Sequence, residues 1–188
     1  MSMEEDLKCH FQGLDIPEKL LALLKFSNEI AQNKYFSNGF EFSLDKEKVG
    51  LKTYSDNKEF LCSIYEFAVA DGTGSSYGFW LKDGSSDLDR APIVAFGSEG
   101  GFHIVANNFA GLLQILTFDS EPMIDWDEIC YYKDTKDFEP SAKSKEYRDW
   151  LRKECALAGI ESADEIVQEA QKIHKESFSA WVGNFYKN

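Results

Sequence analysis

The feature that most constrains the fold is a predicted hairpin that runs into a helix with almost no connecting chain. Residues 93–96 and 103–105 are short apolar segments with the composition of β-strands. The segment between them, Gly-Ser-Glu-Gly-Gly, supplies glycines for a tight turn with positive φ. Asn107 or Asn108 can then cap a helix. The apolar residues of this helix share one face and are Phe109, Leu112, Leu113 and Leu116.

Two glycine-containing loops could bind phosphate, but both are better explained as turns. Glu99 lies within the first loop and would repel an anion. Residues 71–76, Asp-Gly-Thr-Gly-Ser-Ser, contain a Gly-x-Gly pattern. An aromatic strand follows them, whereas a phosphate loop needs the N-terminus of a helix at that point. We therefore expect hairpin turns without a ligand at both loops.

The periodicity of the remaining chain predicts an α+β fold. In chain order the further elements are a helix at 14–33, strands at 39–45, 51–55, 60–70 and 77–81, and two closing helices at 144–159 and 162–186. Asp15 is the expected cap of the first helix, and Gly159 is the expected stop of the penultimate one. Ser162 and Glu165 have the spacing of a capping box. We expect a central, mostly antiparallel or mixed sheet flanked by helices, in one domain that spans residues 1–188.

The formal charge of −13, from 33 acidic and 20 basic residues, limits the partners of this chain. Affinity for nucleic acid comes from lysines and arginines that release counterions, so nucleic-acid binding is disfavoured. Attraction to an anionic membrane surface is disfavoured for the same reason. A basic protein is the complementary partner, since opposite charge accelerates encounter. The alternative is that the charge serves solubility alone.

The negative charge is concentrated in residues 119–139, which hold eight carboxylates and two lysines. This segment is the first candidate for a partner-binding surface, through Asp119, Glu121, Asp125, Trp126, Asp127, Glu128, Tyr131 and Tyr132. The loop at 82–90 is the second candidate, through Asp83, Asp87 and Asp89. Charged rim residues would set the association rate, and aromatic residues would be the buried anchors. Trp126 fits either an interface or the core, because charged and apolar residues both flank it.

The sequence assigns no catalytic residue, metal site or cofactor. The four cysteines are never in the paired spacing that zinc requires, and no two histidines are four residues apart. Asp125, Asp127 and Glu128 could bind a divalent cation, but they lack the alternating pattern of a calcium loop, which favours a solvated acidic loop. A Cys62–His103 dyad across the sheet is the remaining enzymatic hypothesis. The apolar neighbours of Cys62 predict instead a buried, inert thiol.

Hydropathy predicts neither a membrane span nor a secretory signal. No apolar run reaches about 18 residues, the length that a transmembrane helix needs. The first residues are acidic and lack the apolar region of a signal peptide. We therefore expect a cytoplasmic protein.

Four motifs follow one another between residues 16 and 118. They are a helix with Ile-Pro-Glu-Lys-Leu-Leu, the aromatic strand Tyr-Gly-Phe-Trp-Leu, the strand Pro-Ile-Val-Ala-Phe with its glycine turn, and a strand that runs into Ala-Asn-Asn-Phe-Ala-Gly-Leu-Leu. Together they resemble the SMI1/KNR4 (SUKH) superfamily. The resemblance does not extend to the acidic segment and the terminal helices at 119–188. It implies an α+β fold with a central mixed sheet and no catalytic motif.

Bacterial members of this superfamily are largely immunity proteins that neutralise toxins, many of them nucleases, and the resemblance implies the same role here. A nuclease is basic where it grips phosphate, and an acidic protein could occupy that groove. Fungal relatives are linked to regulation of cell-wall synthesis, which implies a regulatory scaffold as the alternative. A small hydrolase or thiol enzyme is the third hypothesis. The oligomeric state stays open, because the long terminal helix could pack within or between chains.

Overall fold

A computed structural model of the chain describes residues 3–11, 13–134 and 136–186. The helices are α1 (Met3–His10), α2 (Glu18–Phe26), α3 (Val49–Lys52), α4 (Lys58–Ser63), α5 (Phe109–Ile115), α6 (Ser144–Cys155) and α7 (Asp164–Val182). The strands are β1 (Glu41–Phe42), β2 (Ile64–Val69), β3 (Ser76–Trp80), β4 (Ile93–Phe96), β5 (Phe102–Ala106), β6 (Pro122–Ile124) and β7 (Ile129–Tyr131). A π-helical turn (Ser27–Ala31) extends α2, and 3-10 turns lie at Lys82–Gly84 and Leu116–Phe118. The fold is α+β, as the sequence predicts.

The central sheet has five strands in the order of the chain, from β1 to β5. Each neighbouring pair is antiparallel, so the sheet is entirely antiparallel within the described residues. Gly100 and Gly101 adopt φ of 112° and 84° in the predicted turn between β4 and β5. Oδ1 of Asn108 accepts a hydrogen bond from the N–H of Gly111 and caps α5. The glycine-rich segment is thus a turn that leads into a capped helix.

The sheet is covered on both faces, because its strands send apolar side chains to each side. Along β4, Ile93 and Ala95 enter a first core, whereas Val94 and Phe96 enter a second. Helices α1, α2, α5 and α6 pack on the first core, and α3, α4 and most of α7 pack on the second. The apolar residues of β4 are therefore consecutive, since both faces of the strand are buried.

Aromatic side chains form much of the second core. Phe178 of α7 lies 4.9 Å, between ring centroids, from Trp80 of β3. Trp181 stacks on Phe60 of α4 at 5.5 Å. Phe178 is fully buried, and burial of one such ring stabilises a fold by about 2 kcal/mol. α7 is therefore part of the core and covers the second face of the sheet.

Two segments that the sequence places in strands are helical. α3 overlaps the short strand predicted at 51–55 at Leu51 and Lys52, and a turn follows at 53–54. α4 replaces the start of the strand predicted at 60–70, because Asn57 caps it with hydrogen bonds from the N–H groups of Glu59 and Phe60. Phe60 is buried nevertheless, since either a helix or a strand can direct its side chain into the core.

The ends of the closing helices differ from the predicted ones. α6 ends at Cys155, and Ala156 directly after it adopts the left-handed conformation with φ of 54°, so Gly159 is not its stop. α7 follows Ala163, and the predicted capping box does not form. Ser162 contributes only a hydrogen bond that its hydroxyl accepts from the N–H of Asp164. Asp15 likewise makes no side-chain cap on α2.

Helical periodicity places Ile30 and Ile173 on apolar faces, but both are exposed. The π-helical turn begins at Ser27 and changes the number of residues per turn, so Ile30 loses its register with the buried leucines of α2. The buried residues of α7 are Val167, Ala170, Phe178 and Val182. Ile173 is not among them. None of the described helices is long and apolar enough to cross a membrane.

Residues outside 16–118 contribute to both cores. α1 lies where the sequence predicts no element, yet Leu7 and the following Phe11 are buried in the first core. Tyr147 and Leu151 of α6 are buried in the same core. Together with α7 on the second face, these helices make the packed body extend well beyond the segment that carries the family resemblance.

Candidate partner-binding surface

Asp119, the first residue of the acidic segment, lies in the interior and is only 3% exposed. Its carboxylate accepts hydrogen bonds from the N–H of Asn38 at 2.8 Å and from the N–H and hydroxyl of Ser141 at 2.8 and 2.6 Å. These bonds join the loops that precede β1 and α6 to the start of the segment. Asp119 therefore has a structural role, since internal hydrogen bonds occupy its carboxylate, contrary to the predicted contact role.

The acidic segment folds into a second hairpin, made of β6 and β7, that no periodicity in the sequence predicts. Its two faces differ, because successive side chains alternate. Met123, which pairs with Cys130, points outwards and is 60% exposed, whereas Ile129 and Tyr131 are buried. The Tyr131 hydroxyl lies 2.9 Å from that of Tyr77, and burial raises the pKa of both phenols. Tyr131 thus anchors the hairpin internally and is not available to a partner.

The tip of this hairpin packs on the turn between β4 and β5. The ring of Trp126 covers Gly100 so closely that a Cβ atom there would overlap it, and it lies 5.8 Å from the ring of Tyr186. The carbonyl oxygen of Asp125 lies 2.7 Å from Nε2 of His103, and burial lowers the pKa of that imidazole. Neutral His103 therefore donates through Nε2. Trp126 contacts Gly100 and Tyr186 and is still 55% exposed, so part of its ring is open to solvent.

The acidic residues at the tip are exposed and are organised by an internal turn. Oδ1 of Asp125 accepts hydrogen bonds from the N–H groups of Glu128 and Asp127, both at 2.8 Å, which lowers the pKa of the Asp125 carboxyl. Across the described residues, no group of three or more His, Cys, Asp or Glu side chains is placed to hold a metal ion. The geometry is that of an Asx turn with carboxylates at the surface.

Three adjoining grooves lead from the outer face of the hairpin to the edge of the sheet at β1, and we name them together the trough. The hairpin groove, of about 500 Å³, is lined by Asn38, Asp119, Ser120, Glu121, Met123, Tyr132, Lys133, Asp134, Asp137 and Phe138. The middle groove, of about 230 Å³, is lined by Tyr35, Asn38, Phe40, Glu41, Val69, Asp71, Gly72 and Glu121. The edge groove, of about 360 Å³, is lined by Met3, Leu24, Ser27, Asn28, Asn33, Lys34, Tyr35, Phe36, Phe40, Glu41 and Phe42. Residues shared between neighbouring grooves make the trough continuous.

Exposed aromatic and apolar side chains follow the trough. Tyr132 is 65% exposed in the hairpin groove, beside Met123, and Tyr35 is 57% exposed where the middle and edge grooves meet. Hydrogen bonds hold the carboxylates next to them. The Tyr35 hydroxyl donates to Glu41 at 3.2 Å, and the N–H of Gly72 donates to Glu121 at 3.1 Å. The trough therefore offers ordered acidic groups beside apolar contact area.

The carboxylates of the trough form no ion pairs among the described residues, although Lys34 lines the edge groove and Lys133 lines the hairpin groove. These carboxylates include those of Glu41, Asp71, Glu121, Asp134 and Asp137. Lys133 donates to the carbonyl oxygen of Phe118 at 2.6 Å, and its ammonium lies 4.3 and 4.2 Å from the ring centroids of Phe118 and Phe138. Its charge is directed into these groups and away from the acidic side chains.

The second acidic cluster lies at the other end of the sheet. Residues 82–90 connect β3 to β4, whereas the hairpin contacts the β4–β5 turn and, through Glu121, the β2–β3 turn. Successive connections in an antiparallel meander alternate between the two ends of the strands. The carboxylates of this cluster are exposed, and that of Asp87 forms an ion pair with Arg90 at 3.5 Å. Asp83, Asp87 and Asp89 are thus not brought together with the trough.

The structure does not form the Cys62–His103 dyad. Cys62 is exposed on α4, contrary to the buried thiol that its apolar neighbours predict. α4 packs on the second core, whereas His103 is paired with Ala95, whose side chain enters the first core. The register also separates them, because His103 is aligned through Ala95 and Tyr77 with Ala68, near the end of β2, whereas Cys62 precedes the start of β2, which lies two strands away from β4.

Several trough residues lie outside the segments that the sequence singles out. Tyr35, Asn38 and Glu41 are far from the acidic segment in sequence, and long-range packing brings them to it. A Cβ atom on Gly39 would lie only 2.5 Å from the carbonyl oxygen of Ser120, so a glycine is needed for this approach. The one local sign is that three aromatic residues flank the turn-forming Ser-Asn-Gly at 37–39, with Glu41 directly after them.

Comparisons of the chain with protein-family models, with curated proteins and with solved structures found no match. The resemblance to the SMI1/KNR4 superfamily therefore rests on the motifs between residues 16 and 118, and the interpretation of the surface rests on its geometry and charge.

Proposed function

We propose that this chain is an immunity-type protein that binds a basic toxin one-to-one and blocks its activity. The observation that carries the proposal is the trough, where unpaired carboxylates lie beside exposed Tyr35, Met123 and Tyr132. Carboxylates attract a basic partner at long range, and exposed aromatic residues supply contact area that a partner can bury. The resemblance of residues 16–118 to the SMI1/KNR4 superfamily supports the same role.

A nuclease is the toxin class that best fits this surface. Its active-site groove is basic because it binds a polyphosphate, and each groove of the trough is lined by at least one carboxylate. A protein that occupies such a groove needs no chemistry of its own, and the thiol-enzyme alternative has no support from Cys62 and His103, which lie towards opposite ends of the sheet. The proposal assigns the chain to the cytoplasm, where it would meet its toxin.

Co-expression of the chain with the toxin domains encoded next to its own gene tests the proposal. We expect the chain to restore growth against one of them, and the purified pair to form a one-to-one complex by size-exclusion chromatography with light scattering. The affinity of this complex should fall with rising salt, because its charges are partly exposed. Failure to restore growth against every such domain, together with no complex, would reject the proposal in favour of the regulatory scaffold.

A further inference from the structure

We propose that the trough binds an extended segment of the partner rich in lysine and arginine, an inference that rests on the proposed function and specifies its binding site. The shape of the trough is the first argument. The hairpin and middle grooves share Asn38 and Glu121, and the middle and edge grooves share Tyr35 and Glu41. A continuous groove suits an extended chain, in which each residue advances about 3.3 Å and successive side chains point to opposite sides.

The free edge of β1 is the second argument. The N–H of Ser43 donates to the carbonyl oxygen of Phe67 at 3.2 Å, which places residue 43 in a hydrogen-bonded pair with β2. Hydrogen-bonded positions alternate along an antiparallel strand, so the N–H and C=O of Phe42 point away from β2. Phe42 also lines the edge groove. Such unpaired groups at a sheet edge bind the backbone of an added strand.

The distribution of charge is the third argument, and it selects a basic occupant. Glu41 lies at the junction of the edge and middle grooves, Glu121 at the junction of the middle and hairpin grooves, and Asp137 in the hairpin groove. Tyr35 and Tyr132 lie beside these carboxylates and can pack against a guanidinium group or the methylene stem of a lysine. Alternate side chains of an extended segment would therefore meet acidic groups in the hairpin and middle grooves and at Glu41, where the edge groove begins.

The charge of the chain argues against other occupants. A net charge of −13 disfavours a second copy of this chain in the trough, since like charges would face each other. Nucleic acid and anionic lipid are disfavoured on the same ground. A basic protein segment fits both features, because its backbone can pair with the edge strand and its charges complement the carboxylates.

A synthetic peptide of alternating lysine and threonine tests the site without a toxin. A peptide of about ten residues spans about 33 Å when extended. At low salt, its titration into the ¹⁵N-labelled chain should shift the amide signals of Tyr35, Glu41, Glu121 and Tyr132 and leave those at 83–89 unchanged. A peptide of alternating glutamate and threonine should shift none of them. Shifts spread over the surface, or centred on 83–89, would overturn the proposal.

A matched pair of variants gives the second readout. Glu41→Gln, Glu121→Gln and Asp137→Asn together remove three charges but keep the size and one acceptor of each side chain. This variant should weaken binding of the basic peptide about tenfold, because each exposed ion pair contributes little on its own. The control, Asp83→Asn with Asp87→Asn and Asp89→Asn, removes the same charge at the other end of the sheet. Equal losses in the two variants would mean that net charge alone attracts the peptide.

The same variants separate this inference from the proposed function. Peptide binding in the trough without neutralisation of any toxin would retain the site and reject the immunity role. Conversely, toxin neutralisation that the trough variant leaves intact would retain the immunity role and reject the site.

Discussion

The carboxylate of Asp119 accepts hydrogen bonds from both the backbone N–H and the hydroxyl of Ser141, at 2.8 and 2.6 Å. Asp119 also lines the hairpin groove and accepts a hydrogen bond from the N–H of Asn38. Three separate loops therefore meet at one buried side chain. The shape of the trough depends on an acidic residue that a partner does not need to contact.

Replacement of this carboxylate should destabilise the chain strongly. Asp119→Ala would leave the three donors that it satisfies without a partner, and we expect the free energy of unfolding to fall by about 3 kcal/mol. Urea denaturation followed by circular dichroism measures the change. The control is the exposed Asp137→Ala, which should change stability by less than about 0.5 kcal/mol. Similar losses for the two variants would contradict a structural role of Asp119.

The contact between Gly100 and Trp126 should make one glycine much less replaceable than another. Gly100 and Gly74 have φ of 112° and 103°, so an alanine is strained at either position. A Cβ atom at Gly100 would also overlap the Trp126 ring, whereas nothing lies within 4 Å of one at Gly74. We expect Gly100→Ala to cost about 2 kcal/mol more than Gly74→Ala in thermal or urea unfolding.

A double-mutant cycle attributes this difference to the ring. In a Trp126→Ala background the overlap at position 100 is removed, so Gly100→Ala should then cost about as much as Gly74→Ala. A difference that persists without the indole would show that the turn itself, and not the docked hairpin, rejects the side chain.

Glu66 should lower the stability of the chain at neutral pH. It is 5% exposed on β2, and its Oε2 has no hydrogen-bond partner among the described residues. Burial raises the pKa of this carboxyl, although the hydroxyl of Ser76 donates to Oε1 and opposes the shift. A raised pKa means that the folded chain binds the proton more tightly than the unfolded chain. Its stability therefore falls as pH rises from 4.5, the ordinary pKa, through the folded value.

Glu66→Gln tests this relationship. The variant should be more stable than the parent by about 1 kcal/mol or more at neutral pH, because it removes a buried charge and keeps an acceptor for Ser76. It should also lose the decline in stability above pH 4.5 that we assign to Glu66. Urea titrations across this range measure both effects. A variant that is less stable than the parent at every pH would contradict the prediction.

His103 should give the hairpin an opposite dependence on pH. Burial lowers the pKa of this imidazole below its ordinary value of 6.5, so the folded chain binds the proton less tightly than the unfolded one. Its contribution to stability is complete above pH 6.5 and is lost as pH falls through the folded pKa. We expect the amides of Asp125 and Trp126 to exchange hydrogen faster, relative to the rest of the sheet, as pH falls through that range. His103→Gln should remove the dependence, and an unchanged dependence in this variant would point to another group.

The elements that could be predicted from the sequence are those that local interactions define. The glycines at 100 and 101 and the cap at Asn108 act within a few residues, and the sequence therefore predicts the β4–β5 turn and α5 correctly. α4 shows the limit of such patterns. Its residues have the composition of a strand, but the hydrogen bonds to Asn57 make them a helix.

The candidate surface could be predicted only in part. Composition identifies the acidic segment, but it does not distinguish buried Asp119 from exposed Asp127, because the difference arises from distant Asn38 and Ser141. Likewise, Glu41 joins the trough only after the sheet and the hairpin have formed. Contacts between residues so far apart in sequence leave no periodic signal.

The position of α7 in the chain has a consequence for biosynthesis. Phe178 contacts Trp80 and Phe102, and the four strands that carry the second core, β2 to β5, are translated before residues 164–182. Until this helix leaves the ribosome, the nascent chain carries an apolar sheet face that its own later residues must cover. Chaperones have time to bind that face during translation, and a product released before residue 164 would be prone to aggregate.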